Sequence, residues 1–215
     1  SIKNKLETKG ITVIGVYRNA KEDKFDKKCD VGEETDVKNL VNDVINEYGK
    51  IDVLINNAGI VTRTDISKTK LDVWHNVLST NLTGPFLLCK YVLPHMKNQH
   101  YGKIVNVSSI AARSYSKTAS VEYTVSKYGL IALTKQLAYK YGQFGINVNC
   151  ICPSQTKTEM LINNLTKKEI LNIEKHIPLG KIAEPEQIAD VVNFLCSDQS
   201  SYIHGAVIDI NGGQI

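Results

Sequence analysis

This 215-residue sequence lacks long hydrophobic runs. A membrane-spanning helix needs roughly 20 consecutive apolar residues, and no stretch of the sequence approaches that length. The opening segment Ser1–Lys5 does not lead into the apolar core of a signal peptide. We therefore expect no membrane partner and a cytoplasmic location.

Arginine is scarce, since the only three are Arg18, Arg63 and Arg113. Proteins that bind nucleic acid usually cluster arginine and lysine on one face, whereas the lysines here are scattered along the sequence. The net charge of +4 is modest, and basic charge alone is weak evidence for such a partner. We expect no nucleic-acid partner.

Cysteine is also sparse, at five residues, and an odd number does not suit a disulfide framework. A chain of this length forms a core without disulfides. Cys150 and Cys152 share one face of a predicted strand, which is a poor geometry for a tight metal site without further ligands nearby. We expect reduced, mostly buried thiols and no metal site.

Strand-length apolar runs alternate with helix-length amphipathic stretches. The predicted strands are Ile11–Val16, Ile51–Ile55, Ile104–Val107, Ile146–Ile151 and Ala206–Ile210, and the predicted helices cover about residues 35–48, 71–98 with a break near Gly84-Pro85, 121–142, 159–173 and 185–197. Because the strands are apolar on both faces, we expect an α/β fold with helices on both sides of a parallel sheet. Ligands bind beyond the carboxyl ends of such strands, where the polar clusters of this sequence fall.

Tyr123 and Lys127 are four residues apart in a predicted helix, so that both side chains can point into one site. A phenol titrates near 10, too high for proton transfer at neutral pH. We expect the neighbouring cation to lower that value and to make Tyr123 a general acid/base for an alcohol proton. The spacing alone is weak evidence, because Tyr17 and Lys21 share it.

Two further polar residues support a catalytic site. Ser109 follows a predicted strand, where its hydroxyl can stabilise the developing charge on a carbonyl or alkoxide oxygen. Asn81 lies inside a predicted helix, although asparagine has a low helix propensity. It is either a helix-kink residue satisfied by water or a residue that holds water in a proton relay.

Taken together, the order and spacing of these residues resemble the short-chain dehydrogenase/reductase family over essentially the whole chain. The resemblance rests on Asn56-Asn57-Ala58-Gly59, Asn81, Ser108-Ser109, Tyr123 with Lys127, Pro153 with Thr158, Pro185-Glu186-x-Ile188-Ala189 and Gly205 before Asn211-Gly212-Gly213. It implies a single NAD(P)-binding domain over residues 1–215 with a Rossmann-type doubly wound parallel sheet. The implied activity is NAD(P)-dependent interconversion of a secondary alcohol and a ketone by hydride transfer.

The resemblance also implies a role for each catalytic residue. Tyr123 would exchange the substrate proton, and Ser109 would orient the substrate oxygen. Lys127 would lower the pKa of Tyr123 and bind the nicotinamide ribose. Asn81 would hold the relay water.

The implied cofactor contacts fall at three places: Asp30 and Val31 at the adenine, Asn57, Ala58 and Gly59 along the cleft, and Pro153, Thr156 and Thr158 at the nicotinamide, with Tyr123 and Lys127 also contacting the cofactor. The usual Pro-Gly is here Pro153-Ser154, so a side chain narrows the approach. An acidic residue after the second strand would favour NAD, whereas a nearby arginine accommodates the 2′-phosphate of NADP. Because Arg18 stands there, we favour NADP over NAD; the alternative is a solvated surface arginine.

The start of the sequence departs from the family pattern, which begins with a strand and a glycine-rich turn. Residues 1–10 correspond to the end of the following helix. Losing a central strand would leave backbone groups of two neighbours unpaired. We expect the first strand and its turn to precede Ser1 in the natural protein; a truncated protein is the alternative.

The substrate is left open between two classes. The spacing after Thr158 and a compact lid around Met160–Ile177 resemble 3-oxoacyl-(acyl-carrier-protein) reductases, but Phe144 and His100 stand where basic residues are common in those enzymes. The polar loop Arg113–Ser120 is similar to that of members acting on sugars or polyols. A non-catalytic binding or scaffold protein and an epimerase or dehydratase are the remaining alternatives.

The helices at about 71–98 and 121–142 carry more apolar surface than one sheet can cover. The residues in question are Leu82, Phe86, Leu87 and Leu88 on the first helix and Ile131, Leu133, Leu137 and Tyr141 on the second. In the family, matching helices pair across a two-fold axis, and the C-terminal strand pairs at another interface. We expect a homotetramer, or at least a homodimer.

Overall fold

The structure, a computed structural model, describes residues 1–19, 24–116, 118–158, 161 and 165–215. The helices are α1 Ile2–Glu7, α2 Glu34–Tyr48, α3 Leu71–Leu78, α4 Gly84–Gln99, α5 Val121–Tyr141, α6 Lys167–Glu174 and α7 Pro185–Leu195, and the strands are β1 Val16–Tyr17, β2 Lys27–Lys28, β3 Val53–Asn56, β4 Gly102–Val107, β5 Ile146–Pro153 and β6 Val207–Ile210. Short 3₁₀ turns cover Ile66–Lys68, Ile110–Ala112, Gly142–Phe144 and Asp198–Ser200, and a π turn, Ser79–Thr83, joins α3 to α4.

All the strand pairs are parallel, and they form two separate sheets. The larger sheet has the order β3-β4-β5-β6, and the smaller one consists of β1 and β2. Within the described ranges, no strand pairs with both β1 and β3. Parallel pairing aligns the carboxyl ends of β3, β4 and β5 along one edge, which places the loops that follow them next to one another.

Helices cover both faces of the larger sheet. On one face, Ile104 of β4 and Val148 of β5 pack against Val92 and Met96 of α4. On the other face, Val105 and its neighbours on β5 pack against α1 and α7. Because successive strand residues point to opposite faces, the adjacent pair Ile104 and Val105 contributes to both cores. The expected doubly wound α/β arrangement is confirmed.

The predicted strand Ile11–Val16 is wrong in its extent. Ladder pairing covers only Val16–Tyr17, with one further bond from the Lys27 N–H to the Gly15 carbonyl. Among the described residues, only β2 pairs with this segment. Because β2 is only two residues long, it does not extend alongside the start of the predicted strand. An apolar run is therefore not enough to make a strand when its partner is short.

The predicted helix over 159–173 is interrupted where it can be compared, because Leu161 is helical whereas residues 165–166 are not. Helix α6 starts at Lys167, because Thr166 accepts the Glu169 N–H while the Glu169 carboxylate accepts the Thr166 N–H. This reciprocal cap fixes the first helical residue. Residues 159–160 and 162–164, which include part of the expected lid, lie outside the described residues.

Two expectations from the sequence concern the state of the cysteines and the presence of membrane-spanning helices. Each of the five cysteines is buried and free of a disulfide, as the cysteine count predicted. Over the part of the chain that the structure describes, no helix is both long enough and apolar enough to cross a membrane.

Candidate active site

The predicted site residues meet at the carboxyl edge of the larger sheet. Asn57, Ala58 and Gly59 follow β3, Ser109 follows β4, and Pro153 is the last residue of β5. Helix α5 begins at the same edge and carries Tyr123 in its first turn. Three strands and one helix therefore supply residues to one edge of the sheet, where ligands bind in folds of this kind.

Helix α5 is fixed by its cap and by a bond to the sheet. Ser120 is the N-cap, and its hydroxyl accepts the Tyr123 N–H. The Ser108 hydroxyl, at the end of β4, donates to the Lys127 carbonyl at 2.8 Å. These two bonds set both the start of the helix and its height above the strand, and so position Tyr123 and Lys127.

The Lys127 ammonium is buried, with 4% of the residue exposed. Its Nζ donates to the Val107 carbonyl at 2.8 Å and lies 5.8 Å from the centre of the Tyr123 ring. Burial lowers the pKa of Lys127 to about 8, since the charged form loses its hydration. The ammonium and the phenol thus share one site, as their spacing predicted.

The pKa of Tyr123 departs from the sequence-based expectation. Burial raises it, and a hydrogen bond with the Ser109 side chain offsets only part of the rise. Lys127 is not among the groups that lower it: its ammonium donates to the Val107 carbonyl, and burial lowers its own pKa to about 8. The phenol is therefore protonated at neutral pH.

Asn81 lies at the centre of the π turn and is fully buried. Its Oδ1 accepts the Ile60 N–H at 2.8 Å, while its Nδ2 donates to the Ile60 carbonyl at 2.9 Å and to the Ser126 hydroxyl at 3.1 Å. The side chain thereby ties the loop after β3 to helix α5. The helix irregularity is present at Asn81, and the side chain bonds to Ile60 and Ser126; the role of Asn81 in holding relay water stays a prediction.

The π turn explains the helix break near Gly84-Pro85. The Gly84 N–H bonds to the Ser79 carbonyl, five residues back, which widens the helix at Asn81. A Cβ at Gly84 would lie 2.9 Å from the Val31 side chain, so only glycine allows α4 to approach the loop after β2 this closely. Helix breaks of this kind are frequent at functional sites.

Gly59 lies next to two of the catalytic candidates. A Cβ added there would lie 3.4 Å from Lys127 Nζ and 3.5 Å from Asn81 Oδ1. Backbone without a side chain at this point leaves room for a ligand to approach the ammonium closely. The structure therefore brings Asn57–Gly59 together with Asn81 and Lys127.

Arg18, which follows β1, and Asp30, which lies just after β2, form an ion pair. Arg18 donates through Nε and Nη2 to Asp30 Oδ2 at 2.8 and 2.6 Å. Arg18 is thus neither a free guanidinium nor a purely solvated residue. Val31, next to Asp30, packs on Gly84 at the start of α4.

The segment after β5 is held against the chain that precedes α7. Thr156 forms a bridge with Ala183, and the Lys157 N–H donates to the Ala183 carbonyl at 2.9 Å. The Thr158 N–H donates to the Thr156 carbonyl at 2.7 Å. The Ser154 N–H, at the position where the family has glycine, is already bonded to the Ile210 carbonyl.

Several residues of the site were not identified from the sequence in these roles. Ser108 and Ser126 hold Lys127 and Asn81, and Thr62 contacts both Ser120 and Glu122. Ser126 could have been found from its position three residues after Tyr123 on the same helix. The contacts of Thr62 had no sequence signal, because they span about 60 residues.

Comparisons with known proteins agree with this geometry. A family model described as Enoyl-(Acyl carrier protein) reductase matches residues 4–214. A 3-oxoacyl-[acyl-carrier-protein] reductase from Thermotoga maritima is 39% identical over 179 residues, which cover 83% of this chain and 72% of that protein. An acetoacetyl-CoA reductase from Shinella zoogloeoides is 40% identical over 170 residues, covering 78% of this chain and 69% of that protein.

Solved structures show the same fold. The ligand-free aldohexose dehydrogenase of Thermoplasma acidophilum superimposes with a TM-score of 0.92 at 30% identity, covering 99% of this chain and 88% of that one. A protein from Burkholderia xenovorans described as a short-chain dehydrogenase/reductase gives a TM-score of 0.82 at 31% identity, with 88% and 73% covered. The chain is therefore an oxidoreductase that belongs to the short-chain dehydrogenase/reductase family.

Proposed function

We propose that this protein is an NAD(P)-dependent reductase of a ketone, with Tyr123 as the general acid in reduction and the general base in the reverse reaction. The observation that carries the proposal is the environment of Tyr123. Its phenol is hydrogen-bonded with Ser109, its ring centre lies 5.8 Å from Lys127 Nζ, and burial raises its pKa further above neutral. A protonated phenol suits the donation of a proton to the alkoxide that forms when a carbonyl is reduced.

The residues of the cleft fit both ends of a nicotinamide dinucleotide. At one end, Gly59 leaves room in front of the Lys127 ammonium, a donor suited to ribose hydroxyls. At the other end, Asp30 and Arg18 offer an acceptor and a donor to the adenosine. When bound, the cofactor supplies or accepts the hydride. Because a guanidinium stands near the proposed 2′-position, we favour NADP over NAD.

The other polar residues of the site, Ser109 and Asn81, would orient the substrate oxygen and hold the neighbouring loop in place. The Ser109 oxygen accepts the Ala111 N–H at 3.1 Å, and its hydroxyl, which is hydrogen-bonded with Tyr123, is the donor that would turn to the substrate oxygen. Asn81 keeps the loop that carries Gly59 next to helix α5 through Ile60 and Ser126. A scaffold protein would have no physical need for this set, so we favour an enzyme over a non-catalytic family member.

A 3-oxoacyl thioester is the first substrate class that we propose, because the similar proteins include acyl-thioester reductases. A sugar or polyol is the second, favoured by the fold match to an aldohexose dehydrogenase and by the polar loop after Ser109. Five free thiols agree with a reducing compartment such as the cytoplasm.

The test is a spectrophotometric assay with NADPH and NADH, using acetoacetyl-CoA as the acyl substrate and aldoses with the oxidised cofactors in reverse. Tyr123→Phe should lower turnover about 10²–10⁴-fold, the usual loss when an acid/base is removed, while keeping cofactor binding. Tyr139→Phe, an exposed tyrosine on the same helix, is the matched control and should behave like wild type. No turnover with either cofactor, or a Tyr123→Phe variant within a few-fold of wild type, would contradict the proposal.

A further inference from the structure

The ion pair between Arg18 and Asp30 links two residues that separately face the proposed adenosine end of the cofactor. Both Arg18 contacts go to the same carboxylate oxygen, Oδ2. The Arg18 side chain is 61% exposed, whereas that of Asp30 is 27% exposed. The guanidinium is therefore accessible to a ligand while its charge is already compensated.

Asp30 is the fixed member of this pair. Its Oδ1 accepts the Gly32 N–H at 3.0 Å, and its own N–H donates to Asp36 Oδ2 at 3.1 Å. Gly32 is in turn held by the Ser79 hydroxyl, which donates to its carbonyl at 3.4 Å. The carboxylate thus has a defined direction, and Arg18 is drawn to it.

This arrangement has opposite effects on the two cofactors. A 2′-phosphate carries about −1.5 to −2 charges at neutral pH, so a carboxylate bonded to the guanidinium repels it and competes for the same donors. A ribose 2′-hydroxyl carries no charge and is not repelled. Removing the carboxylate charge should therefore strengthen the binding of NADPH relative to NADH.

We propose that Asp30 sets the strength of the cofactor preference of this protein by holding and neutralising Arg18, so that NADPH is favoured over NADH less than an unpaired Arg18 would make it. This inference rests on the proposed function. It adds that the specificity-determining unit is the Arg18–Asp30 pair and not Arg18 alone.

The decisive variant is Asp30→Asn, tested by fluorescence titration of NADPH and of NADH. Any loss of adenine contact affects both cofactors and cancels in the ratio of their dissociation constants. We expect that ratio to shift toward NADPH by about tenfold or more, which at 1.4 kcal/mol per tenfold is the size of one charge-assisted contact. Glu47→Gln, which removes the carboxylate of the Lys27–Glu47 pair, is the matched control for net charge and should leave the ratio unchanged.

A second variant keeps the inference testable if Asp30→Asn does not fold. Arg18→Gln changes an exposed side chain and leaves the Asp30 carboxylate uncompensated, so the ratio should shift toward NADH. An unchanged ratio in either folded variant overturns the inference while leaving the proposed function intact, provided that both cofactors still bind. Failure of wild-type protein to bind either cofactor would instead reject the proposed function.

Discussion

Thr62 Oγ1 donates a 2.6 Å hydrogen bond to Oε1 of Glu122, a residue that is 1% exposed and immediately precedes Tyr123. Thr62 also lies 2.6 Å from the Ser120 hydroxyl, and its carbonyl accepts the Ser120 N–H at 3.0 Å. Burial alone would raise the pKa of Glu122, but hydrogen bonds from Thr62, the backbone and Ser120 outweigh it and lower the pKa. The loop after β3 is thereby joined to the first turn of α5.

Thr62→Val should weaken this connection without changing the volume of the side chain. A buried carboxylate that loses one hydrogen bond costs about 1–3 kcal/mol, and we expect a loss of that order in the free energy of unfolding, measured with denaturant at pH 7. Because the folded pKa of Glu122 is lowered, its stabilisation is present above its unfolded pKa and lost as the pH falls through the folded value. The acid-side fall in stability should therefore flatten in the variant.

The control for this change is Thr64→Val, the same substitution two residues along the loop. Steady-state kinetics then distinguish an effect of Thr62→Val on the stability of the fold from an effect on the position of Tyr123. If the connection positions Tyr123, Thr62→Val should lower kcat more than it raises the KM for the cofactor. Equal stability of the two variants would contradict an energetic role for the Thr62–Glu122 bond.

Lys127 should make cofactor binding depend on pH. Burial lowers its pKa to about 8, so the ammonium proposed to hold the ribose is lost in the free protein as the pH rises above that value. We expect the affinity for NADPH, measured by fluorescence titration from pH 6.5 to about pH 9.5, to fall on the alkaline side. Lys127→Ala should bind weakly at every pH, whereas Lys135→Ala, an exposed lysine on the same helix, should behave like wild type.

The same shift predicts that stability rises with pH, as for Glu122, but here the charged form of the group destabilises the fold instead of stabilising it. An unfolded lysine titrates near 10.4, so between about pH 8 and that value the unfolded chain binds more protons than the folded one, and stability rises with pH. The cost of burying the charge is present below about pH 8. Lys127→Met should accordingly be more stable than wild type at pH 7, with a gain that shrinks toward pH 10; a gain that does not depend on pH would contradict the assignment.

Gly59→Ala tests whether the cofactor approaches Lys127 past Gly59. The added methyl group would be in ordinary van der Waals contact, at 3.4 Å from Lys127 Nζ, so the variant should fold with an unchanged melting temperature. It should nevertheless raise the dissociation constant of either nicotinamide cofactor several-fold, because it fills the approach to the ammonium. Unchanged cofactor affinity would mean that the cofactor does not pass this glycine.

The catalytic candidates could be predicted because their positions depend on local spacing. Tyr123 and Lys127 are one helical turn apart, and Ser109 follows an apolar strand. The direction of the Tyr123 pKa shift could not be predicted, since it depends on how deeply the phenol is buried by distant segments. The two bonds between Asn81 and Ile60 were likewise out of reach, because they join residues 21 positions apart across a tertiary contact.

The apolar residues that the sequence assigned to the oligomer interface are only partly the ones that the structure exposes. Leu87 and Ile131, which the sequence placed on the apolar patch, are buried within the chain. Phe86 on α4, which the sequence also placed there, is 49% exposed, and the large exposed apolar residues of α5 are Val121, Val125, Tyr128 and Tyr139. Val121, Val125 and Tyr128 repeat at intervals of four and three, so they share one face of the helix.

We expect this face of α4 and α5 to form a two-fold interface in a homodimer or homotetramer, because an apolar patch of this kind is costly to leave in water. Val125→Glu should place a charge at the centre of the patch and lower the mass measured by light scattering at micromolar concentration. Leu171→Glu, on the exposed side of α6, is the matched control and should leave the mass unchanged. The prediction is wrong if a full-length, cofactor-loaded wild-type sample has the mass of a monomer. It is also wrong if Val125→Glu and Leu171→Glu give the same assembly, since the apolar face of α5 would then play no part in association.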